Sequence, residues 1–254
     1  MSLHVSNLCF SYGKQENLNE ISLDLEESEI LGILGPNGSG KTTLIRCISR
    51  ILQPKSGSVI LDGEDVYKMS RNEIAKNIGF VPQNSMQDQN PPTVYEVVLM
   101  GRRPYIYWNY TERDKDIVWS AMREMKVDEF AMRPFNKLSS GQAQRVLIAR
   151  AIAQEAKIIM LDEPTSNLDV KYQIEVLETI HKTVKDKNLS ACLIIHDLDL
   201  AMRFCDKVLL MKDGKSFAFG ETSETLSSEN ISAIFGINCV IDNNYGRSRI
   251  IILD

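Results

Sequence analysis

Four short runs of consecutive apolar residues recur along the chain, near 30–35, 78–82, 158–162 and 191–195. Uninterrupted runs of this length are typical of strands that are buried on both faces of a parallel sheet, whereas half-exposed strands alternate apolar and polar residues. Segments with the apolar spacing of helices lie between these runs. The pattern therefore predicts an α/β fold with a parallel core sheet.

A glycine-rich turn follows the first run, and Thr42–Ile51 then has the spacing of a helix. The turn matches the pattern G-x-x-x-x-G-K-[ST], and the alternative to a binding loop is a structural turn with a surface lysine. Glycines let backbone N–H groups turn inward, and with the helix N-terminus they form a cradle for phosphate. The lysine would reach the β- and γ-phosphates, the first threonine would ligate Mg²⁺, and the second would contact the α-phosphate. The candidate nucleotide-binding residues are Gly35, Pro36, Asn37, Gly38, Ser39, Gly40, Lys41, Thr42 and Thr43.

Polar residues also follow the other three apolar runs. Asp162 and Glu163 end the third run, where Asp162 suits a role in holding Mg²⁺ and Glu163 suits polarising an attacking water. His196 ends the fourth run and could donate a hydrogen bond to a γ-phosphate, and Gln83 closes the second run, where its amide can contact metal or water. Taken singly, these are also consistent with exposed acids, a structural histidine and a turn glutamine. The predicted phosphate loop favours the catalytic interpretation of the acids.

The segment LSSGQAQRVLIARAIA, residues 138–153, predicts a helix that begins at a Ser-Ser-Gly turn. Ser139 or Ser140 can cap its N-terminus and leave free N–H groups that point outward. The capped helix has a purely structural interpretation. The N-terminus of this helix is a second site that would attract phosphate, but no phosphate is left over for it in its own chain. This suggests instead that it binds the nucleotide held by another copy of the protein.

Composition narrows the class of protein. The chain has 254 residues and a net charge of -5, which argues against a nucleic-acid binder. The pattern of single cysteines favours a reducing compartment and supports neither a zinc site nor a disulfide framework. The first residues lack a signal-peptide pattern, and the apolar runs are shorter than the roughly 18 residues of a membrane span, so we expect a cytosolic protein. The cysteines are Cys9, Cys47, Cys192, Cys205 and Cys239.

The order of these motifs resembles the nucleotide-binding subunit of an ATP-binding-cassette (ABC) transporter, over nearly the whole chain. FSYG resembles the family's adenine-stacking segment, with Tyr12 as the aromatic residue, and GPNGSGKTT matches its Walker A. VPQ matches the Q-loop, LSSGQ the signature, IIMLDEP the Walker B, SNLD the D-loop and IIHD the H-loop. Ser140 stands where the family usually has glycine, and serine still allows the helix to begin there.

The resemblance implies a fold and a set of boundaries. Residues 1–83 and 157–215 would form a RecA-like P-loop core, with a small antiparallel sheet from residues 1–29 and 57–66. Residues 84–156 would form an inserted helical subdomain, and residues 216–254 a C-terminal extension that ends in a strand. All of these parts would belong to one ABC ATPase domain.

The resemblance also implies a mechanism. Two copies would join head to tail around two ATP molecules with Mg²⁺, which Thr42, Gln83 and Asp162 would hold. The signature residues Ser139, Ser140, Gly141 and Gln142 of one copy would contact the ATP held by the other, and Asp169 would communicate across the interface. Glu163, His196 and Gln83 would be the catalytic residues, acting on the attacking water and the γ-phosphate.

Several features favour a membrane importer. The chain has one cassette, no long heptad insertion and no fused membrane span. The segment EVVLMGRRPY resembles importers of iron–siderophore complexes, haem and cobalamin, with zinc or manganese importers as the nearest competitors. The partners would be integral membrane permease subunits and, indirectly, a substrate-binding protein, with this subunit at the cytoplasmic face of the membrane. A soluble ABC ATPase that acts on a macromolecule is the alternative.

Overall fold

A computed structural model of the chain describes residues 2–83, 91–166, 168–242, 244 and 248–253. The strands of this part are β1 Leu3–Tyr12, β2 Gln15–Leu25, β3 Ile30–Leu34, β4 Ser56–Leu61, β5 Glu64–Asp65, β6 Ile78–Val81, β7 Ile158–Leu161, β8 Ser190–Ile194, β9 Lys207–Lys212, β10 Lys215–Glu221, β11 Asn238–Asp242 and β12 Arg249–Leu253. The helices are α1 Lys41–Ile48, α2 Arg71–Asn77, α3 Val94–Leu99, α4 Glu112–Glu124, α5 Ser140–Ala153, α6 Val170–Lys187, α7 Leu198–Phe204, α8 Thr222–Thr225 and α9 Ser228–Phe235. Short 3-10 segments cover Met100–Tyr105, Asp128–Phe130 and Phe135–Lys137.

A six-stranded sheet with the order β10-β9-β3-β8-β7-β6 forms the core. The strands from β9 to β6 in this order are parallel, and β10 pairs antiparallel with β9. All four predicted runs are strands of this sheet, which confirms the predicted fold class. The pattern did not single out β9 and β10, which form a hairpin across the predicted boundary at residue 215.

Side chains of the parallel strands alternate between two apolar layers, which explains the uninterrupted apolar runs. In β7, Ile158 and Met160 face the layer that includes β1, β2 and α1, whereas Ile159 and Leu161 face the layer that includes α5 and α6. Each layer needs its own set of apolar side chains, so every residue of such a strand is apolar.

A second sheet, antiparallel and with the order β2-β1-β4-β5, covers one layer and confirms the predicted antiparallel subdomain. The helix after the glycine-rich turn was predicted to reach Ile51, but α1 ends at Ile48. Arg50 has a positive φ of 53°, a conformation that ends the helix, and Ile51 is 53% exposed.

Helices α3, α4 and α5 form the described part of the predicted helical subdomain, of which residues 84–90 lie outside the described residues. Each helix begins with a capping box, at Thr93, Thr111 and Ser139 respectively. In a capping box, the cap side chain and the residue three positions later satisfy each other's backbone N–H groups. These three local signals set where the helices of the subdomain begin.

The C-terminal residues add α8, α9 and the two-stranded β11–β12 sheet. The residue that precedes α8 is Glu221, and the Thr222 hydroxyl donates to the carbonyl oxygen of Cys205 at 2.7 Å. The predicted final strand is present as β12, and the Ile250 amide donates to Asp199 at 2.8 Å. No helix of the described residues is long and apolar enough to cross a membrane.

Candidate functional site

The carboxyl ends of four parallel strands meet at one edge of the core sheet. Because β3, β6, β7 and β8 run in the same direction, the residues that follow them lie at that edge, where ligands of open α/β sheets bind. The glycine-rich turn follows β3, Gln83 follows β6, Asp162 and Glu163 follow β7, and His196 follows β8. The candidate residues that sequence analysis found separately are therefore placed at a common edge.

The glycine-rich turn is tightly wrapped at its first and last glycines. Gly35 has a φ of 148°, and a Cβ there would lie 2.1 Å from the carbonyl oxygen of Met211. Gly40 has a φ of 100°, and a Cβ there would lie 2.6 Å from the carbonyl oxygen of Asn17. Only glycine fits such positions, since a side chain would meet backbone that cannot yield. Gly38, by contrast, has open space around it.

The contacts of this turn with β2 and the β9–β10 hairpin were missed by sequence reasoning. Met211 lies in β9, and the amide of Gly214, in the following turn, donates to the carbonyl oxygen of Ser39 at 3.2 Å. These residues are about 175 positions away from the loop and carry no motif. Their role in shaping the loop could be seen only in the tertiary structure.

Lys41, the first residue of α1, lies folded into the loop. Its side chain is only 6% exposed, and its Nζ donates to the carbonyl oxygens of Gly35 at 2.8 Å and Pro36 at 2.9 Å. Burial lowers the pKa of Lys41, against the opposing effect of Glu163 and Asp162. A phosphate oxygen would be a stronger partner for this ammonium than the two carbonyl oxygens, because a charge-assisted hydrogen bond between two ions is stronger than one to a neutral acceptor.

Thr42 and Asp162 join the loop to the end of β7. The Thr42 hydroxyl donates to Asp162 Oδ1 at 2.9 Å, and Asp162 is 1% exposed. Burial raises the pKa of Asp162, and the hydrogen bond from Thr42 only partly offsets this effect. Two oxygen ligands held side by side, one of them a buried carboxylate, fit the ligand preference of Mg²⁺.

Glu163 lies between two polar side chains from neighbouring strand ends. His196 Nε2 lies 2.8 Å from Glu163 Oε1, and Gln83 Nε2 donates to Glu163 Oε2. Glu163 has a positive φ of 54°, which is unusual for a residue with a side chain and is typical of functional sites. The Glu163 side chain is 18% exposed and that of His196 is 46% exposed, so water can reach this pair.

The signature segment lies at the start of α5. Ser139 caps the helix, and Gln142 completes the capping box by accepting from the Ser139 amide at 3.0 Å. Ser140 is the first helical residue, and a Cβ at Gly141 would lie 2.9 Å from Leu168 Cδ2. Asp169 caps α6, and Tyr12, which packs edge-on against Phe10 with ring centroids 4.8 Å apart, is 49% exposed. Within the described ranges, no hydrogen bond or ion pair joins Ser139 or Tyr12 to the glycine-rich loop.

The fold and this arrangement define the class of P-loop nucleotide hydrolases. The family model described as ABC transporter matches residues 18–166, and the chain belongs to this family. The ABC transporter ATP-binding protein MJ0089 of Methanocaldococcus jannaschii is 40% identical over 246 residues, which are 97% of this chain and 96% of that protein. The ferric enterobactin transport ATP-binding protein FepC of Escherichia coli is 34% identical over 241 residues, 94% of this chain and 89% of FepC.

Solved structures that resemble this chain also belong to ABC transporters. A putative metal-chelate type ABC transporter in an inward-facing conformation has a TM-score of 0.86 and 32% identity, covering 100% of this chain and 98% of that chain. The ATP-binding cassette MJ0796, solved as a dimer in a post-hydrolysis state with ADP and Pi, has a TM-score of 0.77 and 28% identity, covering 87% and 98%. The protein is an ATPase of the ABC transporter family.

Proposed function

We propose that this protein hydrolyses ATP at the described sheet edge and thereby powers a membrane importer for an iron–siderophore, haem or cobalamin-type compound. One observation carries the ATPase part: Glu163 lies between Gln83 and His196 and beside the loop that holds Lys41. Relatives such as the ferric enterobactin subunit support the importer part. The relatives' names give petrobactin, cobalamin, achromobactin and ferric enterobactin as substrates, which favours this substrate class over zinc or manganese.

The glycine-rich loop binds the phosphates of ATP. Its backbone N–H groups and the N-terminus of α1 face the phosphate oxygens. Lys41 Nζ exchanges its contacts with the Gly35 and Pro36 carbonyl oxygens for β- and γ-phosphate oxygens. Thr42, Asp162 and Gln83 would hold Mg²⁺, which would supply positive charge to neutralise the phosphates. Tyr12, which is half exposed, stacks on the adenine.

Hydrolysis then depends mainly on the position of one water. Glu163 orients a water and accepts its proton, the water oxygen bonds to the γ-phosphorus, and the bond from that phosphorus to the β–γ bridging oxygen breaks to release ADP. His196 holds Glu163 in position and donates to the γ-phosphate, and Gln83 contacts the water or would contact Mg²⁺. Most of the rate enhancement comes from position and charge, as is general for phosphoryl transfer.

A second copy of the chain completes each site. The N-terminus of α5, with Ser139, Ser140, Gly141 and Gln142, carries the positive end of the helix dipole and contacts the ATP of the partner copy. Asp169 lies at the start of α6 and communicates across the interface. The cassette with ADP and Pi that resembles this chain is dimeric, which supports a pair of copies.

The importer requires permease subunits in the membrane and, indirectly, a substrate-binding protein. We therefore propose that this subunit lies at the cytoplasmic face of the membrane as a peripheral protein. We propose no nucleic-acid partner. Co-purification from gently solubilised native membranes tests this assignment. A polytopic membrane protein in stoichiometric amount supports it. Soluble partners alone would favour the second candidate, a soluble ABC ATPase that acts on a macromolecule.

Glu163→Gln tests the chemistry of the site. Because glutamine keeps the shape but cannot accept the proton, we expect a hydrolysis rate roughly 10²- to 10⁴-fold lower, as is typical when a general base is lost. ATP binding remains, and an ATP-bound dimer accumulates in size-exclusion chromatography with light scattering. Glu112→Gln, at an exposed glutamate of α4, is the matched control and keeps the normal rate. A wild-type rate for Glu163→Gln would remove Glu163 from this role.

A further inference from the structure

The β1–β2 hairpin, which carries the aromatic residue proposed to stack on adenine, is irregularly paired near its turn. Phe10 of β1 pairs with Leu18 of β2. The next residue of β1, Ser11, pairs with Glu16, two positions earlier in β2. Asn17 therefore has no partner among the described residues of β1, which is the arrangement of a β-bulge. Bulges are common next to functional sites, where they turn a side chain in a new direction.

The side chain of Asn17 turns back toward Tyr12. Its Oδ1 accepts a hydrogen bond from the backbone N–H of Tyr12 at 3.1 Å. Tyr12 is the last residue of β1, and Gly13, with a φ of 59°, starts the turn. The hydrogen bond therefore fixes the backbone of Tyr12 at the point where the chain leaves the strand. The ring of Tyr12 is supported by Phe10, at an interplanar angle of 82°.

The main chain of Asn17 lies against the phosphate loop and the β9–β10 turn. A Cβ at Gly40 would lie 2.6 Å from the Asn17 carbonyl oxygen, and a Cβ at Gly214 would lie 2.8 Å from it. The amide of Asn19 donates to the carbonyl oxygen of Gly214 at 2.8 Å, which holds this part of β2 in place. The position of Asn17 relative to the end of the phosphate loop is therefore fixed by backbone contacts on both sides.

Asn17 thus connects the two parts of the proposed nucleotide site. Its side chain holds the backbone of the aromatic residue, and its main chain lies against the last glycine of the phosphate loop. Because adenine and phosphates belong to one ligand, the aromatic ring must stand at a fixed distance from the loop. A ring that is already held in its binding orientation loses less conformational freedom when the nucleotide binds, which raises affinity. The amide is also neutral, so it adds no negative charge beside an anionic ligand.

We propose that Asn17 is a positioning residue for nucleotide binding, which holds Tyr12 in the orientation that stacks on the base. The inference rests on the function proposed above, in which Tyr12 contacts adenine. Asn17 acts on the base through Tyr12 and leaves the contacts of the phosphates to the glycine-rich loop. Its side chain therefore contributes to the affinity for ligands that carry a base, and not to the affinity for phosphates alone.

Two ligands separate these contributions. ADP carries the base, whereas pyrophosphate carries only the two phosphates, and neither is hydrolysed at the site. Asn17→Leu keeps the branched shape of the side chain but removes the acceptor. We expect the Kd for ADP, measured by isothermal titration calorimetry, to rise roughly 2- to 12-fold, as is typical for the loss of one hydrogen bond. The Kd for pyrophosphate stays unchanged, which also shows that the variant is folded.

The matched control is Asn19→Leu, two positions further along β2, where the side chain donates to Glu16 at 3.3 Å. We expect it to keep the wild-type affinity for both ligands. In steady-state hydrolysis, Asn17→Leu raises the KM for ATP by the same factor as the Kd for ADP and leaves kcat unchanged, because the side chain does not contact the reacting groups. An unchanged Kd for ADP, or an equal loss of affinity for ADP and pyrophosphate, would overturn the proposal.

A double-mutant cycle tests whether Asn17 acts through Tyr12. Tyr12→Ala keeps the backbone N–H but has no ring to position, and we expect its Kd for ADP to rise roughly 5- to 150-fold, as is typical for the loss of base stacking. Adding Asn17→Leu to this variant then has no further effect on the affinity for ADP. A full additional loss would overturn the proposal. If Tyr12→Ala itself leaves the affinity for ADP unchanged, the stacking role in the proposed function fails instead, which distinguishes the two failures.

Discussion

The buried ion pair of Arg102 offers a prediction whose size follows from the structure. Arg102 is 3% exposed, and its guanidinium donates to Asp114 at 2.9 Å, to Glu155 at 2.7 Å and to the Ala153 carbonyl oxygen at 2.7 Å. Arg102→Met keeps the apolar stem of the side chain but leaves Asp114, which is 6% exposed, without its cation. Removing one partner of a buried pair costs about 3–5 kcal/mol, because the remaining charge stays buried and uncompensated.

This loss is large enough to measure by thermal unfolding. In a chain of this size, 1 kcal/mol shifts the Tm by about 2–4 °C, so we expect Arg102→Met to lower the Tm by roughly 6–20 °C. The matched control is Arg203→Met, whose pair with Glu178 is exposed, with relative side-chain exposures of 31% and 54%. Exposed pairs contribute about 0–1 kcal/mol, which predicts a shift of less than about 4 °C for the control.

A second substitution separates loss of the pair from loss of packing. Arg102→Met/Asp114→Asn removes the uncompensated charge, and we expect it to recover part of the lost Tm. Burial on its own would raise the pKa of Asp114, but hydrogen bonds from Thr111 and the charge of Arg102 hold it below its usual 3.8. The stabilisation is therefore present above pH 3.8 and lost as the pH falls through the lower folded-state pKa. Equal Tm losses for Arg102→Met and Arg203→Met, or a double variant no better than Arg102→Met, would refute the reasoning.

Two further predictions concern the nucleotide site. Gly35→Ala brings a Cβ within 2.1 Å of the Met211 carbonyl oxygen, whereas the Cβ added by Gly38→Ala has open space and adds only backbone strain of about 1 kcal/mol. We therefore expect Gly35→Ala to lower the Tm and the ATP affinity more than Gly38→Ala does. Equal effects of the two variants would contradict the steric argument. Asp162→Asn should abolish Mg²⁺-dependent hydrolysis, yet raise the Tm of the nucleotide-free protein at pH 7.5. Because burial raises the pKa of Asp162, the stabilisation from the protonated Asp162 is fully present below pH 3.8 and is lost as the pH rises through the raised pKa. The gain in Tm from Asp162→Asn should therefore shrink toward acid pH. A gain that grew toward acid pH would contradict the direction of this pKa shift.

Much of the fold could be predicted from the sequence because its signals are local. Four buried strands are uninterrupted apolar runs, and the glycine-rich loop needs its glycines within a few residues. Ser139 as a cap and Gln142 three residues later form a capping box that can be recognised from residue type and spacing alone. Such patterns can be recognised in the sequence because the interactions that produce them span only a few positions.

The exact ends of elements were less predictable. Helix α1 ends before Ile51 because Arg50 adopts a positive φ, which residue type does not require. In α8, the Thr222 hydroxyl does not cap the helix but donates to the carbonyl oxygen of Cys205, a residue of another segment. In both cases a tertiary contact or local backbone conformation overrides the propensity of the sequence.

Only the tertiary structure brought Glu163 between Gln83 and His196, residues 80 and 33 positions away in the chain, through the order of β6, β7 and β8. It likewise decided that Arg102 is buried and paired while its neighbour Arg103 lines a groove. The segment EVVLMGRRPY does not distinguish these two arginines, since the spacing of charges along a chain does not reveal which carboxylates lie nearby. Strand order and packing determine which carboxylates lie near an arginine. Both arise from the burial of apolar surface between residues far apart in the chain, and no single motif encodes this burial.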